Sequence, residues 1–232
     1  MEHILRIFTI WFTPVKSFEA FPRGITPAQW LIPLIIILAF LGVTTYISAP
    51  YVQDMQMEMI QMNPNFPDDQ RAEMMDRLST DSLGAITFAT ALGGALIWYL
   101  LQTGIIFGIG TLTLGISSTF KSFWTLIVLI NTTNIIELAV KVPLIISTGN
   151  LMIESGLSML LPNYLTETFI YNFLFQFDFF SIWRVILIGL GLTIIHGTDR
   201  TKTFSILFGA WIVYALISTQ LMSQYGLFMT RG

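Results

Sequence analysis

The stretch Trp30–Ser48 (WLIPLIIILAFLGVTTYIS) contains no charged side chain. A bilayer core requires about 20 predominantly apolar residues per helix, and this stretch is long enough to cross it once. Four later stretches are also long and apolar, although the third span carries Glu137 and Lys141 and the fourth carries Arg184 near its start. We therefore predict an all-α, polytopic integral membrane helical bundle of about five transmembrane helices, with spans at about 30–48, 83–108, 123–147, 179–196 and 203–222 of a single domain covering 30–222.

The composition supports a membrane protein and excludes several other classes. Of the 232 residues, 54% are hydrophobic and 11% are charged, whereas soluble domains carry roughly 25% charge. The net charge of −3 provides no field that would attract nucleic acid. The chain has no Cys and two His, so disulfides, thiol catalysis and Cys-based zinc sites are excluded. We expect no metal and no cofactor.

The distribution of Lys and Arg predicts the orientation in the membrane. Cytoplasmic loops of membrane proteins carry an excess of these residues. With the N-terminus inside, the inner segments hold Arg6, Lys16, Arg23, Lys121, Arg200 and Lys202, and the outer segments hold Arg71, Arg77 and Arg231. This excess predicts an inside N-terminus and an outside C-terminus.

The segments between the spans are predicted to be partly helical. Residues 1–29 are predicted to be a cytosolic segment whose amphipathic helix lies at the inner interface and ends at Pro14. The outer loop 49–82 is predicted to form two short helices separated by Pro64 and Pro67. The outer loop 148–178 is apolar but interrupted by polar residues, which indicates interfacial or re-entrant helices. Residues 223–232 form a C-terminal tail.

Glu137 and Lys141 are the first candidates for a functional site. They are four residues apart on the third span, with Asn131 and Asn134 near the same face. Ionisable groups inside a membrane are costly and are often functional, which favours a polar path or a surface that docks a partner. The alternative is a neutralised pair that holds helices together, or a Lys141 that reaches the interface.

Asp178 and Arg184 flank the start of the fourth span. Asp178 or Ser181 is suited to cap this helix. Arg184 is in a position to reach Asp178, Glu137 or a lipid phosphate. At the other end of the span, Gly197 is suited to a left-handed helix cap.

Glycines in two spans indicate close helix packing. Gly104 and Gly108 form a small-xxx-small motif, and Gly93 lies earlier in the same span. Gly189 and Gly191 have the same interpretation in the fourth span. The packing is either within the chain or between protomers.

No catalytic triad, metalloprotease motif or nucleotide fingerprint is present, and we predict that the protein is not an enzyme.

Near the N-terminus, Pro14–Phe18 (PVKSF) is followed by Trp30 and Pro33. This pattern resembles that of the bacterial branch of the Yip (Ypt-interacting protein) family. Phe177–Trp183 (FDFFSIW) is similar to the D-P-F-x-x-W pattern before the family's fourth span, with Phe179 in place of Pro. The glycines of the fourth span, the basic turn Thr198–Lys202 and Trp211 in the last span also fit.

The resemblance implies a five-span bundle with a cytosolic N-terminus, in this case in the bacterial cytoplasmic (inner) membrane. Eukaryotic relatives resemble adaptors for Rab-type GTPases and carry a long acidic N-terminal region. This chain lacks that region, so a Rab-type GTPase is not an expected partner. Association with membrane complexes such as exporters is expected of bacterial relatives. The resemblance supplies no catalytic residues.

Three functions are compatible with the sequence. The first is a non-enzymatic scaffold or accessory subunit whose partners are the lipid bilayer and other membrane proteins or a second copy. The second is a small permease or channel that uses the polar face of the third span, with Pro143 as a possible helix break. The third is a protein that bends or senses the bilayer through its N-terminal amphipathic helix.

Overall fold

The computed structural model describes residues 2–21, 24–62, 67–79, 82–149, 153, 155–162 and 168–230. In these residues the secondary structure is helical apart from one isolated β-bridge between Gly156 and Asp178. The α-helices are α1 (Glu2–Phe12), α2 (Pro14–Glu19), α3 (Pro27–Met62), α4 (Asp68–Ser79), α5 (Ser82–Gly108), α6 (Phe120–Asn131), α7 (Thr133–Thr148), α8 (Phe169–Phe175), α9 (Phe179–His196) and α10 (Arg200–Thr230).

Among the residues that the structure describes, five segments are long and apolar enough to cross a membrane, which confirms the predicted number of spans. A helix rises about 1.5 Å per residue, so about 20 residues match a core of about 30 Å. The third span combines α6 and α7. The segments are Pro27–Glu58, Ile86–Thr113, Phe120–Thr148, Phe179–His196 and Arg200–Leu221.

Several helix ends differ from the predicted ones. α3 continues to Met62 instead of ending at Ser48, so the first predicted short helix of the outer loop is the end of α3. Pro50 lies inside α3 and does not end it. The second short helix is present as α4, directly after Pro67, while Pro64 lies outside the described residues. α10 extends to Thr230 and includes most of the predicted C-terminal tail.

The chain divides into two compact units. Unit 1 comprises Met1–Phe40, Gly93–Glu137 and Phe179–Val213, and unit 2 comprises Leu41–Leu92, Leu138–Asp178 and Tyr214–Gly232.

Helix α6 lies at the centre of unit 1. Its residues from Phe123 to Asn131 are buried on every side except at Trp124, as expected for an apolar helix surrounded by other helices. The core around it combines side chains of the N-terminal helices, α5, α6 and α9. The fully buried larger members are Ile10, Phe18, Phe123, Leu126, Ile127, Leu129, Ile130, Leu187 and Leu192.

The N-terminal helices are part of this core. Ile7 and Ile10 of α1 and Phe18 of α2 are buried in the same cluster as Phe123 and Leu187. α1 ends at Phe12, and Pro14 begins α2 at a position where its missing N–H is not needed. The sequence predicts an amphipathic helix here, and its apolar face covers α6 and α9.

One end of unit 1 carries exposed cations and is here called the basic end, defined by Lys121, Arg200 and Lys202. The start of α6 and the end of α9 meet there, because Phe123 and His196 stack with ring centroids 5.4 Å apart. Gly197 has φ of +66°, and its N–H donates to the carbonyl of Thr193, which ends α9. This is the left-handed cap that the sequence predicts.

The glycines of α9 make close contacts inside unit 1. A Cβ atom on Gly189 would lie 2.7 Å from the ring of Phe204, and one on Gly191 would lie 2.8 Å from Leu126. On α5 the situation differs. A Cβ on Gly93, Gly104 or Gly108 would have no described atom within 4 Å. These three glycines therefore do not mediate close packing among the described residues.

Unit 2 contains short helical pieces in the segment 148–178. A 3₁₀-helix over Leu157–Leu160 precedes α8, and the hydroxyl of Thr168 accepts a hydrogen bond from the N–H of Tyr171 at the start of α8. Gly156 pairs with Asp178 so closely that a Cβ on Gly156 would lie 2.4 Å from the carbonyl oxygen of Phe177. Glycine is required at this approach.

We expect Gly191→Val to lower the free energy of unfolding by about 1–3 kcal/mol, because Leu126 is fully buried and has no room to move away. Thermal unfolding in one detergent, followed by circular dichroism, measures the effect. Gly93→Val is the matched control, since a Cβ atom at position 93 would meet no described atom within 4 Å. Equal losses of stability in both variants would contradict the packing role of Gly191.

Candidate functional site

The third span is interrupted at Thr132. α6 ends at Asn131, Thr132 donates its N–H to the carbonyl of Leu129, and α7 begins at Thr133. The sequence Asn131–Asn134 (NTTN) explains the interruption, because Thr and Asn side chains compete with backbone groups for hydrogen bonds. The sequence analysis considered Pro143 as the break in this span. That expectation is wrong, since Pro143 lies inside α7.

Hydroxyl groups satisfy the backbone at the interruption. Thr132 Oγ1 donates to the carbonyl of Leu129 at 2.6 Å, and Thr133 Oγ1 donates to the carbonyl of Ile130 at 2.8 Å. Thr132 Oγ1 also accepts a hydrogen bond from Trp11 Nε1 at 3.0 Å. Thr132 itself keeps right-handed helical dihedrals (φ −60°, ψ −19°), so the interruption is local, and these bonds satisfy its polar groups where a bilayer core supplies no water.

Arg184 is the centre of a polar group that we call the Arg184 cluster: Arg184, Glu137, Asn134, Tyr99 and Ser181. Arg184 Nη1 donates to Asn134 Oδ1 at 2.7 Å and forms an ion pair with Glu137 Oε2, and Nη2 donates to Ser181 Oγ at 3.2 Å. Asn134 Nδ2 donates to the hydroxyl of Tyr99 at 3.0 Å. The cluster thereby links α5, α7 and α9 within unit 1.

Helix geometry brings these side chains together. Asn134 and Glu137 are three residues apart on α7, and Ser181 and Arg184 are three apart on α9, so each pair shares one helix face. The side chains of Arg184 and Glu137 are only 19% and 15% exposed. A charge in this setting is costly unless it is paired, and the ion pair and its amide and hydroxyl neighbours supply that pairing.

A second polar link joins α5 to α6. Asn131 Nδ2 donates to Gln102 Oε1 at 2.8 Å and to the carbonyl of Ile127 in its own helix at 2.9 Å. Asn131 is buried. Together with the Arg184 cluster, this link places polar contacts on both sides of the interruption at Thr132.

The predicted site residues divide into two groups. The structure brings Asn134, Glu137 and Arg184 together, and of the three partners considered for Arg184 it places Glu137 in contact. Asn131 bonds Gln102 instead of joining this cluster. Lys141 and Asp178 belong to unit 2, where Asp178 forms the bridge with Gly156 immediately before α9.

Tyr99 and Gln102 are not among the site residues predicted from the sequence. Both lie on the uncharged second span, three residues apart on one face of α5. Their polar groups are unusual in that apolar context, and this is the signal that could have identified them. Their partners are not visible in the sequence, because they lie about 30 residues away on the next span.

The cluster combines one cation, one anion and neutral hydrogen-bonding groups, so its charges neutralise each other. Within the described part of the chain, no group of three or more His, Cys, Asp or Glu side chains could hold a metal ion. The arrangement can hold three helices in register. It can also offer polar groups to a solute if the ion pair opens.

We expect Glu137→Gln and Arg184→Met each to lower the free energy of unfolding by about 3 kcal/mol, because each leaves the other charge without its partner inside a span. The double variant should lose much less than the sum, since neither charge remains. Unfolding by SDS in mixed micelles measures all three variants. Ser181→Ala is the control and should lose about 1 kcal/mol. Additive losses would show that the two charges do not depend on each other.

The comparisons with known proteins agree with this architecture. A family model described as Yip1 domain matches residues 8–222. No curated protein and no solved structure matches the chain. The match covers all five spans, the Arg184 cluster and most of the N-terminal helices, and the chain therefore belongs to the Yip1 domain family.

Proposed function

We propose that this membrane protein is a non-enzymatic scaffold or accessory subunit of a membrane complex. The observation that carries the proposal is the glycine face of α5, formed by Gly104 and Gly108. A Cβ at either position would meet no described atom within 4 Å. Small residues at this spacing allow another helix to approach closely, and the neighbouring Ile97 and Leu101 are more than half exposed.

The polar contacts of unit 1 support the same proposal. The ion pair of the Arg184 cluster is directed towards neighbouring helices of the same chain, so it fixes the bundle from inside. The outward face of α5 remains apolar and carries its glycines. The partner we propose is a transmembrane helix of another membrane protein, such as an exporter subunit, or α5 of a second copy.

The proposed location is the bacterial cytoplasmic membrane with the N-terminus inside and the C-terminus outside. The grouping of Lys121, Arg200 and Lys202 at one end of unit 1 supports this orientation, because cytoplasmic loops collect Lys and Arg. A Rab-type GTPase and nucleic acid are not among the proposed partners.

We expect Gly104→Leu with Gly108→Leu to reduce the assembly at least tenfold, because two leucines fill the face where the partner helix approaches. Extraction from native membranes in mild detergent, with mass and co-purifying proteins determined together, measures it. Ile105→Leu is the matched control, since Ile105 is exposed and the exchange keeps the side-chain volume without filling either glycine position. The scaffold proposal fails if the double variant retains every assembly of the wild type.

A small permease or channel is the second candidate, and the interruption at Thr132 favours it. Transporters use interrupted helices and buried charged groups near the middle of the membrane. Here α7 carries two members of the Arg184 cluster, Asn134 and Glu137, directly after such an interruption. The solute would be a proton or a small polar molecule.

For this second candidate, Glu137→Gln should change proton or solute flux in proteoliposomes several-fold, because it removes the carboxylate. Glu137→Asp is the control that retains the acid, and both variants are compared at equal amounts of folded protein. Wild-type flux equal to that of empty liposomes, over a broad panel of solutes, would exclude transport and leave the scaffold proposal unaffected.

A further inference from the structure

The N-terminal segment follows α6 away from the basic end. Lys121 Nζ donates to the carbonyl of Ile25 at 2.8 Å, at the start of α6. Further along, the ring of Phe18 lies 3.4 Å from where a Cβ on Gly191 would be, and that Cβ would also contact Leu126. Trp11 then bonds Thr132 at 3.0 Å. From Ile25 back to Trp11, the segment therefore lies progressively further from the basic end.

The distance can be estimated along α6. Lys121 and Thr132 are eleven residues apart, which corresponds to about 16 Å at 1.5 Å per residue. A tilt of about 20°, typical of membrane helices, reduces this depth to about 15 Å. Half of a hydrocarbon core is also about 15 Å. With Lys121 at the membrane surface, the contact between Trp11 and Thr132 lies near the middle of the bilayer.

The chain then returns towards the basic end. Arg6 Nη2 donates to the carbonyl of Ala20 at 3.3 Å, so the earlier part of α1 lies beside the end of α2. Thr13 lies between the two helices, midway in sequence between Arg6 and Ala20. α1 and α2 therefore form a hairpin whose turn is its deepest part and whose two ends lie on the side of the basic end.

The two faces of this hairpin differ in burial. Ile7, Ile10 and Phe18 are packed into the core of unit 1. Phe8, Phe12 and Val15 point away from it and are 50%, 77% and 45% exposed. Large apolar side chains in this position, beside spans whose outer surfaces are also apolar, match the hydrocarbon chains of lipids.

We propose that the α1–α2 hairpin is a re-entrant wedge that inserts into one leaflet, the leaflet at the basic end, where lipid acyl chains cover Phe8, Phe12 and Val15. Because the hairpin occupies area in that leaflet alone, the protein concentrates in membranes that curve with this leaflet on the convex side. The proposal concerns lipid and is independent of the partner bound by α5. In a helix lying flat at the interface Phe12 would lie at headgroup depth, whereas in this hairpin it lies deep in the hydrocarbon.

The natural chain has no Cys, so single spin labels can be placed at Phe12→Cys and Val15→Cys in the full-length protein. Proteoliposomes of phosphatidylcholine and phosphatidylglycerol (3:1) are the probe membrane. Power saturation with oxygen and with a water-soluble nickel chelate gives the depth of each label. Thr26→Cys, exposed near the basic end, is the matched control. We expect the labels at 12 and 15 to lie deep in the hydrocarbon and the label at 26 to contact water.

Membrane tubes drawn from giant vesicles of the same lipids test the consequence for curvature. When the basic end faces the convex side, the fluorescently labelled protein should be at least twofold enriched in a tube of about 20 nm radius relative to the flat vesicle, since the wedge then relieves packing of that leaflet. Phe12→Glu should reduce this enrichment, while Thr26→Glu should not. Labels at 12 and 15 at headgroup depth would overturn the insertion. Deep labels without enrichment would overturn the link to curvature.

Discussion

Inside a bilayer no water satisfies a polar group, and each such group must find its partner within the protein. The third span meets this requirement under the most difficult conditions, because its helix is interrupted at Thr132. Hydroxyls of Thr132 and Thr133 bond the carbonyls of Leu129 and Ile130, and Trp11 approaches from the N-terminal hairpin. This short segment is linked to the position of the hairpin, to the register of α5 against α6 and to the ion pair with α9.

The packing of unit 1 follows from the same segment. α6 is buried almost all round, so its neighbours must approach it closely on several sides. Gly191 permits this approach for α9, where a larger residue would collide with Leu126. The glycines of α5 have no such neighbour among the described residues, although Gly104 and Gly108 have the small-xxx-small spacing that the two glycines of α9 lack. Glycine spacing thus predicts where a close approach is possible, and the fold decides whether the chain itself uses it.

The sequence predicts the five spans well because length and lack of charge are sufficient to identify them. It also predicts the cap at Gly197, since the preference of glycine for positive φ is local. The end of α3 could not be placed, because the sequence does not tell whether a helix stops at the membrane surface or continues beyond it. Pro143 has a stronger local signal for a break than Thr132, yet α7 accommodates Pro143. The partners of Arg184 and Asn131 depend on tertiary contacts between spans, and a single sequence does not encode these visibly.

The bonds of the Arg184 cluster also bear on which function the fold is suited to. Alternating access would require at least one of α5, α7 and α9 to move, and such a movement would separate Arg184 from Glu137 or Asn134 from Tyr99. Breaking a buried ion pair costs about 3–5 kcal/mol unless a solute replaces the lost partner. A scaffold has no such cost, since its lateral faces can bind while the interior stays closed. For a permease, the solute itself must carry groups that compensate Arg184 and Glu137, and this requirement limits the candidates to small charged or strongly hydrogen-bonding molecules.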